Sequence, residues 1–278
     1  MKMQLMLLPK TPCAKFNNRL ARKTATVSSR FGMSNIRFGG KSWSQKAVTT
    51  FQQTALLLTV IWLVMVVVRF RRSIVVLIGG LLAFGLFTLV AFAYGRVTLD
   101  ELGLGIANSW LPTIGVAFAW LALMVAYSPF ADWLATRLVD KPPTLESFRV
   151  IQQSKGKLIA GIVVAWVLGG ILEELIFRGI ALRSVKALLT AWLIEPVATG
   201  VAVCTAALGA GVIHFYQGPR AMVIITQLSV LFGLLFVVSG YNLWAVMLCH
   251  GLYDTIAFVR FANKKSKYSN LDRNQDLF

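Results

Sequence analysis

The chain is patterned as a succession of apolar runs of similar length, separated by short polar or basic breaks. After residue 46 they cover about 48–68, 73–94, 108–128, 157–182, 196–216, 221–239 and 242–262. Each comes close to the ~20 residues that an α-helix needs to cross ~30 Å of hydrocarbon. Lipid offers no partner to an open backbone amide, so spans of this kind must be helical. The first run ends at Arg69-Phe70-Arg71-Arg72, and Lys141-Pro142-Pro143 stops any helix after the third. The pattern therefore predicts an all-α protein, a polytopic transmembrane bundle of about seven helices. The domains follow as a basic N-terminal segment at 1–46, a bundle at 47–262 and a basic tail at 263–278.

Composition agrees with lipid as the solvent. Of 278 residues, 57% are hydrophobic and only 14% charged, and the mean hydropathy is +0.69. A soluble domain is about a quarter charged, so an ordinary cytosolic enzyme, a disordered chain and a collagen-like one are excluded. The charge itself is lopsided, with 28 Lys and Arg against 11 Asp and Glu, a net +17. No acid precedes Asp100, and ten of the basic residues lie within 1–50. Residues 1–46 read as a solvated tail that helps to orient the first span. An organelle-targeting peptide, or an upstream start before Met33, is the alternative. No aromatic interleaving or folded motif accompanies the charge, so the lipid bilayer rather than nucleic acid is the expected partner. Localisation follows as integral and multi-pass, in the cell membrane of a bacterium or in an organelle membrane if 1–46 is a targeting peptide. Cys13, Cys204 and Cys249 have no paired spacing and read as packing residues.

Orientation follows from the basic residues. The positive-inside rule places Arg69–Arg72, the 137–157 loop and the Lys264-Lys265-Lys267 tail together on the cytosolic side. Seven spans then leave the basic N-terminal segment on the opposite side, which the same rule disfavours. A different span count or a processed N-terminus would resolve the conflict.

The informative residues are the few polar ones inside the apolar runs, where charge is costly and functional by default. In the fourth run, Glu174 and Arg178 are four apart and share a helical face, so they can pair. Glu173 is turned about 100° away and remains available for chemistry. In the seventh, His250 and Asp254 are again four apart, so the carboxylate can orient the imidazole. His214 closes the fifth. Each pair alone is explained equally well as glue between helices. Together, however, they gather both histidines of the chain and three of its eleven acids into the last four runs. That concentration argues for one shared buried site.

These motifs resemble a known family. Glu173-Glu174-x-x-x-Arg178, His214 at the end of the next run, and His250-x-x-x-Asp254 after Gly240-Tyr241-Asn242-Leu243-Trp244 are similar to the CPBP family. These are the CAAX-processing and bacteriocin-immunity (Abi) intramembrane endopeptidases. The likeness covers about 157–262, the expected catalytic core, and Thr98–Leu104 resembles the segment that commonly precedes it. The resemblance implies Glu173 as the base for water, assisted by His214. It puts Glu174 and Arg178 in support, and His250 with Asp254 near the developing oxyanion. Two positions depart from the pattern. Ala210 stands where the family has Phe in Phe-x-x-x-His, which implies looser packing around His214. Asp254 stands where Asn is common, and an ionised carboxylate cannot donate a hydrogen bond.

The implied activity is a CAAX-type peptidase, often labelled a metalloendopeptidase. It would act on a prenylated or otherwise membrane-anchored protein or peptide. No cofactor is expected, because His-Glu-x-x-His is absent; zinc held by Glu173, His214 and His250 is the alternative. Two other classes compete: a proton- or cation-coupled transporter using the same carboxylates, and a non-catalytic immunity or scaffold protein. The chain shows no inverted repeat, which weighs against the transporter.

Overall fold

The structure, a computed structural model, describes residues 50–65, 74–105 and 110–275, with side chains to residue 263. The N-terminal segment 1–46, Arg69–Arg72 and the side chains of the basic tail lie outside the described residues. Helices α1 (Thr50–Val64), α2 (Ile74–Ala93), the single turn α3 (Leu99–Leu102) and α4 (Trp110–Leu138) come first. They are followed by α5 (Lys155–Leu189), α6 (Glu195–Ile213), α7 (Pro219–Val238) and α8 (Leu243–Gln275). No strand occurs among the described residues. Among the described residues six helices are long and apolar enough to cross a membrane, and α1 is a shorter apolar one. The protein is an all-α polytopic bundle.

Some boundaries differ from the expected ones, each for a local reason. Helix α4 continues ten residues beyond the run expected to end near 128, straight through Pro129. Proline has no N–H to give the carbonyl four residues back. Here that carbonyl, Val125 O, accepts instead from Ser128 Oγ at 3.0 Å, the kind of repair that lets membrane helices keep a proline. Helix α5 is longer than its apolar run because Ser154 caps it, its Oγ accepting from Lys157 N at 3.2 Å. Its middle, Trp166–Glu173 and Leu175–Leu182, is π-helical, a winding that recurs at functional sites.

Polar contacts show which helix ends share a face of the bundle. At one face Thr144 N donates to Gln217 O at 2.8 Å. Gln152 Nε2 donates to Phe261 O at 3.0 Å. At the other, Arg183 of α5 joins three segments through backbone carbonyls. Its Nη1 donates to Asp100 O and Glu101 O at 3.0 and 2.5 Å, and its Nη2 to Tyr241 O at 3.1 Å. Leu243 N, at the start of α8, donates to Gly103 O at 2.8 Å. Gly103 takes φ +80°, and a Cβ there would stand 2.6 Å from Tyr241 O, so only glycine fits. Thr98 and Glu101 form a capping box around α3. The Thr98–Leu104 segment thereby fixes the axial position of α8 against α5, the two helices that bring most of the polar residues. Aromatic rings mark both ends: Trp110 packs edge-on to Trp244 at 5.7 Å, and Arg137 lies over Trp133 at 5.8 Å. Such rings belong at the lipid–water boundary.

Candidate active site

Helices α5, α6, α7 and α8 converge on one polar cluster that contains all six residues singled out in the sequence. Its floor is Glu174, fully buried, with Arg178 at 2% exposure. Arg178 Nη1 donates to Glu174 Oε1 at 3.0 Å, as the four-residue spacing on α5 predicts. Arg178 Nη2 continues across to α7, donating to Ser229 O at 2.9 Å and to Ser229 Oγ at 2.5 Å. A charge in an apolar interior is tolerated only when paired and hydrogen-bonded, and this guanidinium has a carboxylate, a carbonyl and a hydroxyl.

His250 stands above the floor. Its Nδ1 lies 2.6 Å from Glu174 Oε1, and because a carboxylate accepts, Nδ1 carries the hydrogen. Its ring stacks on Phe232 of α7, with centroids 4.5 Å apart. The same Phe232 ring receives Arg178 at 5.5 Å on the cation–π pattern. On the other side, His250 Nε2 is 3.6 Å from Asp254 Oδ2. The direct bond of His250 is therefore to Glu174, 76 residues away, and the expected Asp254 partner is the looser one.

Glu173 points into the neighbouring sector, as its offset from Glu174 requires. Its Oε1 lies 3.9 Å from His214 Nε2. His214 Nδ1 is 2.8 Å from Ala210 O, and a carbonyl only accepts, so this nitrogen too carries the hydrogen and Nε2 faces the carboxylate. Ala210 itself is buried, at 2% exposure. The aromatic ring missing from that position is supplied two residues past the histidine. Tyr216 stacks beside His214 with centroids 6.0 Å apart and planes at 27°.

Close approach of α5 to α8 depends on glycine. A Cβ on Gly169 would sit 3.0 Å from Asp254 Oδ2 and 3.6 Å from His250 Nε2, and one on Gly170 would sit 3.4 Å from Gly251 Cα. Trp166 covers Gly251 and donates from Nε1 to Thr255 Oγ1 at 3.0 Å. Sequence reasoning missed Ser229, Phe232, Gly169, Trp166 and Tyr216. None carries a charge or a spacing that stands out in an apolar run; only proximity in the fold reveals them.

The same residues bear on metal binding. Among the described residues no group of three or more His, Cys, Asp or Glu side chains is placed to hold a metal ion. Each imidazole gives Nδ1 to Ala210 O or to Glu174, which leaves Nε2 of His214 towards Glu173 and Nε2 of His250 towards Asp254.

The long apolar helices define an integral, multi-pass membrane protein, and its buried cluster pairs carboxylates with imidazoles, groups that can accept and donate protons. Residues 155–256, a little over a third of the chain, match the family model described as Rce1-like, type II CAAX prenyl endopeptidase Rce1-like. Over that stretch the chain is similar to CAAX-processing proteases, which supports the resemblance read from its motifs. All six polar residues fall inside the matched stretch. No curated protein and no solved structure gives a significant match.

Proposed function

We propose that the protein hydrolyses a peptide bond at or within the edge of the bilayer through a water activated by Glu173. Its substrates would be prenylated CAAX-type or other membrane-anchored proteins. The observation that carries this reading is the pairing of Glu173 with His214 at 3.9 Å beside His250 and Asp254 at 3.6 Å. Both gaps exceed a direct hydrogen bond, so neither carboxylate is committed to its histidine and each stays available to a water or substrate oxygen.

Glu173 accepts a proton from the attacking water while the water oxygen bonds to the peptide carbon. His214, hydrogen-bonded through Nδ1 to Ala210 O, turns Nε2 to the carboxylate and holds the reacting water between them. Negative charge then develops on the former carbonyl oxygen. His250 meets it with Nε2–H when the ring is protonated, because Nδ1–H is already given to Glu174. Asp254 orients that ring. Collapse of the tetrahedral centre breaks the C–N bond, and Glu173 returns its proton to the departing amine. Glu174, Arg178 and Ser229 keep His250 in place and do not reach the substrate. No step passes through a metal ion. We assign the catalytic core to 157–262 within the 47–262 bundle, and the lipid chain of the substrate to the surrounding bilayer.

The test is cleavage of a prenylated CAAX peptide by the purified full chain in nanodiscs, with and without chelator, beside Glu173→Ala and His250→Ala. Wild type should cleave, both variants should lose at least a hundredfold, on the scale of about 10²–10⁴ for a lost acid–base group, and chelator should change nothing. Equal rates for wild type and Glu173→Ala would remove the proposed base. Activity abolished by chelator would return zinc to the mechanism. An inactive wild type with Glu173-dependent proton flux in liposomes would favour a transporter.

A further inference from the structure

Counting the hydrogen-bond donors that can face a substrate at this site leaves very few. Arg178 gives Nη1 to Glu174 and Nη2 to Ser229, and it is almost wholly buried. His214 gives Nδ1–H to Ala210 O, and His250 gives Nδ1–H to Glu174. Glu173, Glu174 and Asp254 accept as carboxylates. Tyr253, edge-on to Phe232, is bonded to Ser128, whose own hydrogen goes to Val125 O, so its phenol is also engaged. Among the described residues next to His214 and Glu173, the phenol of Tyr216 is a donor with its hydrogen still to give.

Tyr216 lies in the short 3-10 turn Phe215–Gln217 that follows His214, outside the membrane-spanning helices. Its ring is held on two sides, parallel to His214 and edge-on to Phe215, whose centroid is 6.5 Å away. Gln217 Nε2 donates to its hydroxyl oxygen at 2.8 Å, which fixes the phenol and leaves its own hydrogen free to be given elsewhere. Burial pushes the phenol up to about 12, and the carboxylates of Glu173 and Asp254 add to the rise. The group therefore stays protonated at any physiological pH. Those same two carboxylates are the ones that flank the reacting water and His250, so the phenol and the proposed chemistry share one neighbourhood.

We propose that Tyr216 is a catalytic residue whose O–H donates the second hydrogen bond, beside His250 Nε2–H, to the oxyanion of the tetrahedral intermediate. The inference rests on the peptidase reading above. The hydrogen bond strengthens as charge moves onto the oxygen, and no proton is transferred. Two donors are the common complement of such a site, and each one removed costs about 10²–10³ in kcat. Placing Tyr216 just after His214 lets one short turn set both the water-activating side and the oxyanion side.

Tyr216→Phe keeps the stacked ring and removes only the hydroxyl. In nanodiscs, with the same prenylated peptide, kcat should fall by about a hundredfold while KM stays within about twofold. An aldehyde analogue of the peptide, which hydrates to a tetrahedral centre, should bind more weakly by a similar factor. An uncleavable peptide of the same sequence should bind as before. Gln217→Ala, which frees the phenol without deleting it, should lose about tenfold. A Tyr216→Phe protein with wild-type kcat, while Glu173→Ala is dead, overturns this inference and leaves the peptidase reading standing. Equal weakening of the aldehyde and the uncleavable peptide also overturns it, because the tyrosine would then serve binding alone. A wild type that cleaves no peptide overturns both.

Discussion

Glu174 takes two charged or polar donors, Arg178 Nη1 and His250 Nδ1, at the same oxygen, at a position with no exposure to solvent. Removing one partner from such a pair is worse than removing both, because it strands a charge in an apolar interior. Arg178→Met should therefore cost about 3–5 kcal/mol. Glu174→Met with Arg178→Met should regain most of that stability while remaining inactive, which thermal unfolding in detergent measures directly. A double variant less stable than Arg178→Met would show that the pair does not act as one neutral unit. Ser229→Ala is a milder probe, since Ser229 O still accepts from Arg178 at 2.9 Å when the hydroxyl is gone. Polar bonds between membrane helices average ~0.6 kcal/mol and reach ~1.7, so about 1 kcal/mol is expected, with a modest fall in cleavage as Glu174 and His250 loosen. The i, i+4 pair of Glu174 and Arg178 is legible in sequence because the spacing lies within one element. The shorter bond from Glu174 to His250 is not, because nothing within either helix determines which residue the other places opposite it.

At the scale of elements, the approach of α5 to α8 turns on small residues that sequence patterning ignores. Gly251→Ala must displace the Trp166 ring, whereas a Cβ on Gly200, on α6, meets nothing within 4 Å. Forcing an extra methyl into a packed contact costs about 1–3 kcal/mol, while glycine to alanine in an open helix gains up to ~1 kcal/mol. Unfolding midpoints should thus fall for Gly251→Ala and hold or rise for Gly200→Ala; a rise for both would mean that the α5–α8 contact is slack. Gly169→Ala separates stability from function. Its Cβ would press on Asp254 Oδ2 at 3.0 Å, so the variant should fold and lose of order ten- to a hundredfold in kcat, the scale of a small misplacement at a reacting group. Apolar run length located the helices well, because lipid imposes one length on every span. It missed the extension of α4 past Pro129 and the π-helical middle of α5, since both depend on local hydrogen bonding and not on hydropathy. The offset between Glu173 and Glu174, drawn from a regular α-helix, survives that winding in direction: one carboxylate faces Arg178 and the other His214.

For the whole molecule, the helix ends sort the basic residues onto faces, and that sorting bears on where substrates must come from. The face holding Thr144, Gln217 and Phe261 also carries Arg137, Lys141, Arg149, Lys155, Lys157, Arg220 and Arg260 on or beside its helix ends. Among the described residues the opposite face, at Arg183 and Tyr241, carries Arg96, Arg183 and Lys186. Two of these are tied to carbonyls, to Glu195 or to the Tyr241 hydroxyl. Short basic loops stay on the cytosolic side, so the first face is expected to be cytosolic. His214 sits at the end of α6 on that face, and side-chain exposure rises from zero at Glu174 to 25% at Asp254 along the polar cluster. The site should therefore open towards the cytosol, the side on which a prenylated protein meets the membrane. Single cysteines placed on a background with Cys13, Cys204 and Cys249 replaced settle the matter by labelling with a membrane-impermeant maleimide. Trp192→Cys, 86% exposed on the opposite face, should react in intact cells or right-side-out vesicles. Lys141→Cys should react only after permeabilisation. The reverse pattern would turn the bundle over, and the site would then have to take its substrate from the far side of the membrane.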